Sequence, residues 1–194
     1  MLGLKLETDP HWVNIVEKNI EEILTDHAYC EQKAATNAIS ILISYPYHTD
    51  LVDELLILSK EELTHFEMVH QKIKDRGFKL GFERKDQYVN ELYKFMRKGH
   101  KKEIVLIDRL LFSAMIEARS CERFKILSEN IKDQDLKEFY HELMISEANH
   151  YTTFLRFARK YGNEYENVNS RWAEWIEFEA KMVKSYGKKE TIHG

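Results

Sequence analysis

Two short patterns in the sequence have the residue types and spacing of metal ligands: Glu62-x-x-His65 and Glu147-x-x-His150. Residues three apart on a helix share a face, so each pair can grip one ion. Each pair also falls inside an apolar stripe. Glu62 and His65 line up with Leu55, Leu58, Phe66 and Val69, and Glu147 and His150 with Tyr140, Leu143, Met144 and Phe154. A buried carboxylate without a partner is costly, and a metal ion is one of the few partners that stabilises several together.

Two more carboxylates follow from counting. The pattern at Glu62 lies about 15 residues beyond a turn near Pro46 and Tyr47, and a similar count backwards reaches Glu31, among Leu24, Ala28, Ala34, Ala35 and Ala38. The pattern at Glu147 lies equally far beyond a turn near Asp133, and counting back reaches Glu117, in line with Leu106, Leu110, Ala114, Cys121 and Phe124. The offsets repeat: 31 residues from Glu31 to Glu62 and 30 from Glu117 to Glu147. One Glu from each of two helices and Glu-x-x-His from each of two others is the ligand set of di-iron and di-manganese carboxylate bundles. Hard carboxylates with two imidazoles suit iron, for which manganese can substitute, whereas structural zinc prefers thiolates.

The helices that must carry these residues are legible from caps, stripes and breakers. Only 7 Gly and 2 Pro interrupt 194 residues, which favours long helices over many short strands. Asp9-Pro10 has the form of an N-cap followed by proline in the first turn. From there an apolar stripe runs to about residue 45, as one long helix or a short helix feeding a longer one. Core helices are expected at about 10–45, 50–77, 103–130 and 134–161, with an additional C-terminal helix at about 169–186 and a frayed tail from Gly187. Thr49 or Asp50 can cap the second helix, whose stripe is Leu51, Leu55, Leu58, Leu63, Phe66, Val69 and Ile73; Lys72, Lys74 and Arg76 suit its negative end, and Gly77 its stop. Gly162 would stop the fourth. Two hairpins joined by a crossover of 24 residues (78–101) is the ferritin-like variant of the four-helix bundle. The expected architecture is therefore all-α, one domain over 1–194.

Other titratable residues have plainer readings. Glu122, five residues beyond Glu117, sits roughly 7 Å along the axis and suits a salt bridge with Arg119 or Arg123 better than a ligand position. Cys30 and Cys121 read as reduced core residues, since two cysteines make no disulfide framework. Tyr29, Tyr140 and Tyr151 read as packing residues, and His27, His70 and His141 as ordinary helix or surface residues. The run Arg97, Lys98, Lys101, Lys102 is either a solvated loop or a phosphate contact, joined in the latter case by Lys188 and Lys189. The net charge of −4 gives no global attraction to nucleic acid. The stretch from Ala34 to Tyr45 is too short and polar to span a bilayer, and the N-terminus has no apolar run of the secretory kind. A cytoplasmic protein, monomeric or a small homo-oligomer, is expected.

Four segments carry a resemblance. They are Asp26-His27-Ala28-Tyr29-Cys30-Glu31-Gln32-Lys33-Ala34-Ala35, Glu61-Glu62-Leu63-Thr64-His65-Phe66, Ile116-Glu117-Ala118-Arg119-Ser120-Cys121-Glu122-Arg123-Phe124 and Ser146-Glu147-Ala148-Asn149-His150-Tyr151. Over roughly residues 8 to 180 the chain resembles the MiaE-type tRNA hydroxylases, non-haem di-iron monooxygenases. The resemblance implies iron ligands at Glu31, Glu62, His65, Glu117, Glu147 and His150. It also implies dioxygen as co-substrate, an external electron donor, and hydroxylation of the isopentenyl group on a modified adenosine in the tRNA anticodon loop. The ligand set alone also fits a ferroxidase or iron-handling protein, or a di-iron oxidase with a small-molecule substrate.

Overall fold

A computed structural model describes residues 2–185 and 191–193. Among them are seven α-helices and no strand: α1 (Trp12–Glu17), α2 (Ile20–Ser44), α3 (Thr49–Asp75), α4 (Gln87–Phe95), α5 (Lys102–Asn130), α6 (Gln134–Gly162) and α7 (Val168–Met182), with a 3₁₀ turn at Val183–Ser185. Two antiparallel hairpins, α2–α3 and α5–α6, are separated by a long connection that contains α4. That is the ferritin-like connectivity, with α7 as the extra C-terminal helix.

The chain forms two compact units. One comprises the described residues of 18–85 together with 191–192, and its core is the α2–α3 pair. Ile23, Leu24, Ala28, Ala35, Ala38 and Ile41 of α2 and Leu51, Leu55, Leu58, Val69 and Ile73 of α3 are buried there. Their spacing of three, four and seven is the helical apolar stripe. Leu63, assigned to that stripe from the sequence, is instead 50% exposed, because it sits next to Glu62 on the turn and faces outward. His48, not Thr49 or Asp50, holds the N-cap position of α3. α3 ends in a Schellman motif: Gly77, with φ +72°, donates to the Lys74 carbonyl and Phe78 to that of Ile73.

The other unit comprises the described residues of 2–17 and 86–193 outside that set. In it α6 packs along α5, and α1, α4 and α7 also pack on α5. Aspartate and asparagine caps start three of its helices: Asp86 accepts from the Val89 amide, Asp133 from that of Leu136 and Asn167 from that of Ser170.

Of the two forms the sequence left open for the first helix, the structure has the broken one. Asn19 leaves helical geometry at φ −139°, ψ 46°. α1 buries Trp12, Val13 and Val16 against α5, whereas α2 packs on α3, so the chain changes partners at the break. At the other end, α7 stops at Met182 rather than near 186; Lys188 and Lys189 lie outside the described residues.

Candidate metal centre

In the α2–α3 unit, Glu31 comes from α2, and Glu62 and His65 from successive turns of one face of α3. All three are buried, at 4%, 0% and 5% exposure, and carboxylates are almost never buried so fully without a compensating partner. His65 Nδ1 lies 3.4 Å from Glu62 Oε2 and 3.8 Å from Glu31 Oε2. One donor atom from each of the three falls within 4.8 Å of the others. Ala28 and Ala35, one turn either side of Glu31, are buried small residues that let the backbones approach.

His27 supports this set from behind Glu31 without joining it. It is fully buried, and its Nε2 lies 2.5 Å from Glu31 Oε1. Burial pushes the Glu31 carboxyl up, but hydrogen bonds with His27 and His65 and the His27 charge outweigh it. The net effect holds Glu31 well below the usual carboxylate range, as an anion.

In the α5–α6 unit, Glu117 of α5 and Glu147 and His150 of α6 are likewise buried, and again offer donor atoms within 4.8 Å of one another. His150 Nδ1 is 3.8 Å from Glu147 Oε1. Leu143 and Phe154 flank the pair along α6 and exclude water. Each unit therefore presents two carboxylates and one imidazole, with no thiolate. That donor chemistry fits a hard ion such as iron.

Residues 2–194 match the family described as tRNA-(MS[2]IO[6]A)-hydroxylase (MiaE). The chain belongs to this family. A Pseudomonas putida tRNA 2-(methylsulfanyl)-N(6)-isopentenyladenosine(37) hydroxylase is 40% identical over 157 residues, covering 81% of this chain and 75% of the relative. The Salmonella typhimurium enzyme of the same description is 28% identical, covering 91% of this chain and 81% of its own length. Among solved structures, a Synechococcus protein with aldehyde deformylating oxygenase activity superposes with a TM-score of 0.88 at 30% identity, covering 98% of this chain and 95% of the other.

Family membership does not assign every polar residue near the ligands. Glu122 is held away from a ligand role by three hydrogen bonds: from Arg119 Nη1, the Thr8 amide and the Thr8 hydroxyl, each at 2.8 Å. Arg123, the other partner weighed for it, instead lies 4.2 Å over the Trp12 ring. Tyr29 donates to the Gly81 carbonyl, Tyr151 to that of Leu2, and Tyr140 packs between Phe124 and Phe139. His70 is half-buried against Phe66 and His141 is exposed, as ordinary helix residues are.

His27 and Arg97 differ from their sequence reading, and Cys30 is half-buried where a core position was expected. His27 is no surface residue: it lies one turn before Glu31 on the same face, and that i,i+4 spacing was the available signal. Arg97, placed in a basic loop, is drawn inward by Asp108 eleven residues on. It donates to both Asp108 oxygens and to both oxygens of Glu166, at 2.6–3.1 Å. No helix among the described residues is long and apolar enough to cross a membrane.

Proposed function

We propose that the protein is a dioxygen-dependent di-iron hydroxylase acting on the isopentenyl group of a modified adenosine in tRNA. Glu31, Glu62, His65, Glu117, Glu147 and His150 hold the two irons, and the chain works as one domain over 1–194. The observation that carries the reading is the pair of buried two-Glu, one-His sets, one from each hairpin, in a member of this hydroxylase family. Bound iron supplies dioxygen activation and the insertion of one oxygen atom into a C–H bond, with electrons from an external donor; manganese can substitute in binding.

The protein's own residues do the positioning. His27 fixes the Glu31 carboxylate in one orientation and keeps it anionic. The buried aliphatic and aromatic side chains that flank the ligands keep bulk water from them. Lys98, Lys101 and Lys102, all exposed, meet tRNA phosphates near the anticodon loop. Arg97 is committed to Asp108 and Glu166 and is withdrawn from that set. The setting is the cytoplasm, as a monomer or small homo-oligomer.

Metal quantitation with turnover on isopentenylated tRNA tests the reading. Wild type should carry two irons per chain and hydroxylate the nucleoside, and Glu117→Ala should lose one iron and activity. A Glu117→Ala protein with two irons and full turnover would refute the ligand assignment. The likeness to an aldehyde deformylating oxygenase favours one other reading, a small-molecule oxygenase. Mass spectrometry of tRNA nucleosides from a deletion strain separates the two, because unchanged hydroxylation excludes the tRNA reading.

A further inference from the structure

One end of the α5–α6 pair carries a surface that the basic loop alone does not describe. Arg97 ties the segment before α5 to the segment after α6 through Glu166, and ties it to α5 through Asp108. The backbone of Gly162, at the end of α6, lies against Ile107 in the second turn of α5. Loop 97–101 and the last turns of α6 are thus held together as one face.

Six basic side chains are exposed on these two segments: Lys98, Lys101 and Lys102 from one, and Arg156, Arg159 and Lys160 from the other. Across 97–103 and 156–166 the exposed carboxylate is Glu164. In a chain of net charge −4 this is a local reversal of sign. The cations are also interleaved with rings. Lys98 lies 4.4 Å from the Tyr93 centroid, Arg156 4.4 Å from that of Phe157 and Lys160 5.5 Å from that of Tyr161. Tyr93 and Tyr165 are 51% and 45% exposed, which leaves ring surface for another partner.

Resting on the tRNA reading, we propose that this end of the α5–α6 pair is the RNA-docking surface, with α6 supplying half of it. Phosphates engage the six cations, and unstacked bases pack on Tyr93 and Tyr165. Positive charge by itself would also suit an acidic electron-transfer protein. Exposed aromatic rings among the cations favour single-stranded RNA, whose bases stack on such rings while the backbone follows the charge. Position agrees. Arg156 is nine residues beyond Glu147, about 14 Å along α6, and Lys102 is fifteen before Glu117, about 22 Å along α5. RNA held there lies two to four turns from the ligands, within reach of a nucleotide turned out of its loop.

The test uses the iron-loaded full chain as wild type, Arg156→Glu/Lys160→Glu, and the exposed control Lys60→Glu on α3. Binding of isopentenylated tRNA is followed by fluorescence anisotropy from 50 to 200 mM salt, with steady-state kinetics beside it. The double variant should melt and bind iron as wild type does, but bind tRNA at least tenfold more weakly. Its salt slope should fall by about 1 to 2, as two lost phosphate contacts require. KM for tRNA should rise with kcat retained, Lys60→Glu should match wild type, and Arg156→Lys/Lys160→Arg should restore binding.

Unchanged tRNA affinity and salt slope in the double variant would overturn the docking surface while wild-type turnover leaves the hydroxylase reading intact. A rise in the electron donor's KM with tRNA affinity unchanged would also overturn it, and would assign the face to that protein. If wild type binds tRNA through these residues but never hydroxylates it, the activity fails and the docking surface stands.

Discussion

His27 Nε2 lies 2.5 Å from Glu31 Oε1, one turn along α2, with both side chains buried. The imidazole restricts the carboxylate to one rotamer and so prepares it for an ion. Partners of this kind typically change metal affinity by about 10–100-fold. His27→Ala is therefore expected to remain helical but to lose iron at free concentrations that saturate wild type, with His27→Gln intermediate because its amide still reaches the carboxylate. Iron per chain after dialysis against a graded chelator series measures this. Equal iron retention by His27→Ala would show that Glu31 needs no such support.

The features legible in the sequence were those set by local period. Stripes at three, four and seven placed the helices, and equal counts from each turn placed Glu31 and Glu117 on apolar faces, where the structure buries them. What escaped depends on partners distant in sequence or on a change of partner. Nothing near Arg97 announces that Asp108 and Glu166 will take its guanidinium. The break at Asn19 follows from α1 packing on α5 while α2 packs on α3. Leu63 shows the converse limit: an apolar residue beside a ligand was counted into the stripe although its direction on the turn is outward.

Asp108 is fully buried and accepts from Arg97 and Arg171, with Arg171 Nε at 2.9 Å and Nη2 at 2.8 Å. Burial pushes its carboxyl up, but the hydrogen bonds from Arg171 and then Arg97 outweigh burial and hold it below its usual 3.8. A folded-state value below the unfolded one contributes stability that is present above the unfolded value and is lost as pH falls through the folded value. Asp108→Asn leaves two cations facing a neutral group, so it should cost about 3 kcal/mol at pH 7. The deficit should hold down to about pH 5 and shrink below about pH 4, where the carboxyl protonates in the unfolded chain while the folded one, held lower, still resists. Urea unfolding across that range checks the sign; a deficit that grows on acidification would contradict it.

Cys121 is buried and its thiol donates to the Met144 carbonyl at 3.2 Å. Burial, then the charges of Glu147 and Glu122, push it up to about 12. Since the thiolate is the nucleophile, Cys121 should resist iodoacetamide at pH 8 in the folded protein and react once guanidinium unfolds it. Peptide mapping by mass spectrometry reads both states, and stoichiometric native labelling would mean that α5 opens at this turn.

Gly162 illustrates how one residue type serves two purposes. Gly77 ends α3 because its φ of +72° suits glycine, but Gly162 ends α6 ahead of an Asn163 in ordinary right-handed geometry. Its role is space. A Cβ there would lie 2.5 Å from Val168 Cγ2 and 2.8 Å from Ile107 Cγ1, and the latter atom is near the backbone and cannot swing away freely. Overpacking of this kind costs about 1–3 kcal/mol, against a gain of about 1 kcal/mol in helix propensity. Gly162→Ala should therefore lower Tm by about 2–6 °C. Adding Val168→Ala should recover part of the loss, because it removes the closest atom, whereas Val168→Ala alone should destabilise by opening a cavity. If Gly162→Ala melts above wild type, the contact with α5 and α7 is looser than these distances require, and helix propensity is the larger effect at this position.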